Sequence, residues 1–96
     1  MHPDKVKREQ VKRLTDLPNI GPSIADDLES IGIHRPSQLS GRCPLELYQV
    51  LCMTSGTRHD PCVLDVFISV TRFVEGALPR PWWSYTAERK SRYGTL

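Results

Sequence analysis

The chain has 96 residues, 39% of them apolar and 25% charged. That is ordinary globular usage, with room for one modest core and little for a second, and it argues against disorder. A formal net charge of +2 is too small to signal a nucleic-acid partner by itself. The uncharged run from Leu47 to Thr57 contains polar residues and is too short to cross a bilayer, so no membrane partner is expected.

The start, "MHPDKVKREQVKR", is charged and is not followed by the apolar run of a secretory signal, which points to a cytoplasmic protein. Three cysteines, Cys43, Cys52 and Cys62, are an odd number at irregular spacing and suit reduced thiols. Charge is unevenly distributed: both ends are basic, whereas residues 17–34 are acidic through Asp26, Asp27 and Glu29.

In chain order, residues 4–16 are rich in helix formers, with a thin apolar seam of Val6, Val11 and Leu14, and predict a first helix. Lys5, Arg8, Lys12 and Arg13 recur on one side of it. Leu17 precedes Pro18 and is pushed out of helical geometry, so that helix ends there. A second helix is predicted to open with Pro22 in its first turn, to bury Ile24, Ala25, Leu28 and Ile31, and to stop at Gly32. "HRPSQLSG" predicts one short turn, opened by Pro36 and closed by Gly41. A helix from Pro44 to about Met53 should face Leu47, Val50 and Leu51 inward. The longest helix should run from Asp60, its cap, through Pro61 to Leu78 along a stripe of Val63, Val66, Phe67, Val70, Phe73 and Val74. "PRPWW" then breaks it. No stretch alternates long enough for a strand, so the fold class is all-α, a compact bundle of about five short helices in one domain spanning 1–96. Residues 1–10 and 89–96 are expected as mobile ends.

"LPNIGP", followed by Ile24-Ala25 and Leu28, resembles the helix-hairpin-helix motif. The resemblance implies a hairpin whose backbone amides, with a helix dipole behind them, hold a DNA phosphate without reading bases. It assigns phosphate contacts to Asn19, Ile20, Gly21 and Ser23, with Lys12 and Arg13 supplying charge. Asn19 stands where the first glycine usually lies, and Ser23 where a cation often follows. "IGIHRPSQL" with "CPLELYQVL" forms a second, degenerate hairpin, a tandem SAM-like arrangement in which Arg35, Arg42 and Arg58 are further contacts. Taken in order, "LPNIGPSIADDLESIGI", "LELYQVLC", "GTRHDPCVLDVF" and "PRPWW" are similar to the bacterial pathogenicity-locus family of small helix-hairpin-helix proteins, many of them labelled mitomycin resistance proteins. They are also similar to the C-terminal domain of the competence regulator TfoX. The resemblance carries a fold and no catalytic residues.

The expected function is non-sequence-specific DNA binding, without catalysis or cofactor. A protein-interaction module is the alternative, since an acidic second helix suits a basic partner. Two smaller constellations remain. Cys52, His59 and Cys62, with Cys43 near, have the residue types of a zinc site but no usual pairing of thiols. Cys62, in the first turn of the longest helix with His59 just before it, has the placement of an activated thiol, or else of a buried corner. Trp82, Trp83 and Tyr85 beside Arg80 suit either stacking on unpaired bases or closure of the core.

Overall fold

The computed structural model describes residues 1–94, and all regular structure among them is helical. Four α-helices, α1 (Pro22–Ser30), α2 (Pro44–Ser55), α3 (Pro61–Val74) and α4 (Thr86–Tyr93), are joined by segments that carry 3-10 turns at Pro3–Lys5, Arg8–Gln10, Leu14–Asp16, Pro36–Leu39 and Trp82–Tyr85.

The bundle is organised around α3. The Asp60 carboxylate accepts the Cys62 N–H at 2.9 Å and Pro61 occupies the first position, so the helix starts where its local signals place it. From Leu64 to Thr71 every residue is buried, because α2, α4 and the turns at 36–39 and 82–85 pack around it. A surrounded helix must satisfy its polar residues internally. Ser69 and Thr71 donate back to the carbonyls of Val66 and Phe67, and Asp65 accepts from Arg89 Nε at 2.6 Å and Thr86 Oγ1 at 2.7 Å. The helix ends at Val74 rather than at Leu78. Gly76, at φ +115°, turns the chain so that the Gly76 and Ala77 N–H groups return to Phe73 and Arg72, and Leu78 is left exposed.

The expected first helix does not form. Its place is taken by three separate 3-10 turns, at Pro3–Lys5, Arg8–Gln10 and Leu14–Asp16, with extended backbone at Val6, Lys7, Val11 and Arg13. Two competing interactions explain this. The Asp16 carboxylate accepts the N–H groups of Lys12 (3.0 Å) and Arg13 (2.9 Å), which a continuous helix would direct to its own preceding turn. Arg8 reaches Phe73 O in the last turn of α3 at 2.5 Å and Ala77 O just beyond the helix at 2.6 Å, with its guanidinium 4.0 Å from the Phe73 ring centroid. In α2 the inward set is Leu47, Tyr48 and Leu51, while Val50 is exposed. Tyr48 is drawn in because its hydroxyl donates to the carbonyl of His59.

Segments near both ends of the described residues carry defined contacts. The amino group of Met1 donates to Leu17 O (2.9 Å) and Ile20 O (2.7 Å). Arg89 is buried on Asp65, and Glu88 pairs with Arg72. Of the residues expected as a mobile end, 95 and 96 lie outside the described residues.

Candidate nucleic-acid interface

Residues 12–22 and 34–44 build the same local structure twice. In the first unit the Asp16 carboxylate closes a 3-10 turn onto the N–H groups of Lys12 and Arg13; in the second, the Gln38 side-chain oxygen closes one onto His34 (2.6 Å) and Arg35 (3.0 Å). A buried leucine follows in each, Leu17 or Leu39. Two residues later the chain reverses through a left-handed residue, Asn19 at φ +68° or Gly41 at φ +74°. Then Gly21 or Cys43 caps a helix whose first residue is Pro22 or Pro44. The correspondence is visible in the sequence once "RLTDLPNIGP" is set over "RPSQLSGRCP".

Asn19 therefore meets the backbone requirement that a glycine meets in the other unit. Its amide does more. Nδ2 donates to Ser69 Oγ (3.0 Å) and to Arg80 O (2.8 Å), while Oδ1 accepts the Trp82 N–H (3.2 Å), fastening the reversal to α3 and to the C-terminal segment.

The reversal's amides are not all available. The Asn19 N–H donates to Met1 O at 2.8 Å, and Ile20 N–H makes a long contact to Leu17 O at 3.4 Å, so the two backbone donors expected first as phosphate ligands are engaged internally. Among the described residues no acceptor takes the N–H groups of Gly21, Ser23 and Ile24; Gly21 and Ser23 are exposed at the start of α1. In the second unit the N–H of Gly41 is filled by the Glu75 carboxylate at 2.7 Å, which also accepts from Ser40 Oγ.

The arginines assigned to a second hairpin separate. Arg35 joins Lys12 and Arg13 along a groove of about 500 Å³ that also carries His34, Asp26 and Glu29. Arg42 turns to Glu46 at 3.8 Å and lies by Arg72 and Arg92, whereas Arg58 flanks an apolar hollow with Tyr48, Cys52 and Met53. The N–H groups of Arg13 and Lys12 hold the Asp16 carboxyl below the usual carboxylate range. An open hollow of about 390 Å³ adjoins the first reversal, with Trp82 and Trp83 on its wall. His2, not singled out from sequence, is brought beside the reversal only by the fold.

The thiols are placed otherwise than for chemistry at Cys62. Burial first, and then the Asp60 carboxylate, push the Cys62 thiol up to about 11, against the lowering expected from the helix terminus. Cys52 Sγ accepts the His59 N–H at 3.4 Å, and His59 Nε2 lies 2.9 Å from Ser55 Oγ. Among the described residues no group of three or more His, Cys, Asp or Glu side chains is disposed to hold a metal ion.

No solved structure matches the chain. It is 48% identical over 77 residues to "Mitomycin resistance protein McrB" of Streptomyces lavendulae, covering 80% of this chain and 73% of that protein. The family model described as "Pathogenicity locus", Cdd1, matches residues 7–91, and the chain belongs to that family.

Proposed function

We propose that the protein binds nucleic acid without sequence preference, holding a phosphate on the N–H groups of Gly21, Ser23 and Ile24 in a variant of the helix-hairpin-helix whose first helix is reduced to the 3-10 turn at Leu14–Asp16. The observation that carries this reading is the set of unengaged amides at the start of α1, beside a groove to which Lys12, Arg13 and Arg35 all contribute. Such a site needs no catalytic group and supplies none. Compared with the sequence expectation, the phosphate moves forward by two residues, away from Asn19 and Ile20. Gly21 suits an approaching ligand for a reason internal packing does not supply: its φ is −98°, open to any residue, and a Cβ added there meets nothing within 4 Å.

A protein partner is the second reading, favoured by Asp26 and Glu29 in the same groove, which suit a basic segment. Salt separates the two. Duplex binding through phosphates falls steeply with ionic strength, and Lys12→Glu with Arg13→Glu should weaken it and lower the slope of log K against log salt by about two. Gly21→Ala should leave the melting temperature nearly unchanged and still weaken binding. Duplex affinity at low salt that is indifferent to all three substitutions would overturn the phosphate site.

A further inference from the structure

We propose that the hollow beside the first reversal receives an unpaired base of a single strand, stacked on Trp83. The proposal rests on the nucleic-acid reading above and names the form of strand that this site takes.

Trp83 is 61% exposed, a large ring face that the protein's own core does not use. It is nevertheless braced: Trp82 meets it edge-to-face, with centroids 5.6 Å apart and planes at 85°. The Trp82 backbone N–H is held by Asn19 Oδ1, so the aromatic pair is tied to the residue that makes the reversal. Gly21 lines the same hollow, where the missing side chain leaves its backbone open.

Charge distinguishes this hollow from the groove lined by Lys12 and Arg13. No carboxylate lines it; its ionisable groups are the Met1 amino group and the His2 imidazole, the latter 3.8 Å from Asp4. Arg80, the nearest arginine in sequence, is drawn instead over the Tyr85 ring at 5.1 Å. An anionic strand therefore meets no carboxylate along the lining. Within a duplex, ring faces are covered by neighbouring pairs, so an exposed indole beside a phosphate-holding backbone offers its stacking energy only to a base outside the stack. The volume of about 390 Å³ lies within the range of small-ligand sites, roughly 300–1,000 Å³.

The test compares a short oligothymidine with a duplex of equal length, using wild type, Trp83→Ala and Trp83→Phe. Trp83→Ala should weaken single-strand binding by about five- to a hundredfold and duplex binding by less than about twofold, with Trp83→Phe recovering most of the loss. Circular-dichroism melting checks that the substitutions at this exposed position leave the fold intact. A uniform loss on both forms, or no loss on either, overturns the stacking site. If the Lys12 and Arg13 reversals still weaken duplex binding in that case, the phosphate reading stands while the base site falls. Failure of wild type to bind either form at low salt overturns both.

Discussion

Replacing Asn19 by glycine, the residue the motif usually carries there, should make the protein less stable. Asn19 holds φ +68° and makes three side-chain hydrogen bonds, to Ser69 Oγ, Arg80 O and the Trp82 N–H. Glycine adopts that φ freely, so its backbone cost is small or favourable, and what is lost is the bonding. A typical net contribution is about 0.5–1.5 kcal/mol per bond. Two of the three are partly buried and one is exposed, which gives a loss of about 2 kcal/mol. For a domain of this size that corresponds to a melting temperature lower by roughly 8–16 °C. Asn19→Ala loses the same bonds and adds about 1–2 kcal/mol for an L-residue with a Cβ in left-handed geometry. Asn19→Asp keeps the acceptor for Trp82 but sets a carboxylate oxygen against the Arg80 carbonyl, so it should be no more stable than glycine. Urea titration of the four proteins should place wild type first, with Asn19→Ala below Asn19→Gly. Equal stability of wild type and Asn19→Gly would show that the side chain fastens nothing, and that the departure from glycine has some other cause.

Two further expectations concern the core and its titration. Arg89→Met leaves Asp65 as an uncompensated buried charge and should cost about 3–5 kcal/mol by denaturant unfolding, whereas the paired change Asp65→Leu with Arg89→Met should recover much of it. Because the Cys62 thiol is raised to about 11, the native state holds its proton where the unfolded chain, near 9, has released it. Stability should therefore fall as pH rises from about 9 to 11, with Tyr48, also raised by burial, adding to the slope. Cys62→Ala should flatten that slope; an unaltered pH profile would refute the assignment.

What the sequence disclosed, and what it did not, follows from the range of the interactions involved. The start of α1 at Pro22, its stop before Gly32, the start of α3 at Asp60-Pro61 and the stop of α2 before Gly56 are all set within one turn of chain, by residues whose preferences are strong. The N-terminal segment, though rich in helix formers, is not helical because the Asp16 carboxylate captures the Lys12 and Arg13 N–H groups and Arg8 is drawn to the end of α3, sixty-five positions away. "TAERKSRY" shows no apolar stripe, and α4 is anchored by a polar residue, Arg89, on a carboxylate twenty-four positions earlier. Of the candidate site, Gly21, Ser23, Lys12 and Arg13 were legible from the proline-glycine string and its flanking cations. The loss of the Asn19 N–H to Met1 and the arrival of Arg35 in the same groove were not, since both depend on how distant segments meet.

The two matching units differ in a way that bears on binding. In both, the amide of the left-handed residue is taken by the protein itself, but by chemically different groups: a neutral carbonyl, Met1 O, at Asn19, and a carboxylate, Glu75, at Gly41. A carboxylate on the second reversal already supplies the negative charge that its amide and helix dipole favour, and it repels any further anion. The helix behind it, α2, is capped by Cys43 and begins at Pro44, and its flanking cations are spent on pairs, Arg42 with Glu46 and Arg72 with Glu88. At the first reversal the acceptor is uncharged, and Lys12 and Arg35 have no ion-pair partner among the described residues, while Arg13 reaches Asp16 at 3.8 Å, the same distance as Arg42 from Glu46. One repeated backbone thus yields a self-satisfied corner that braces α2 against the end of α3, and an unsatisfied one that faces solvent. The electrostatics favour the first reversal over the second for the proposed phosphate.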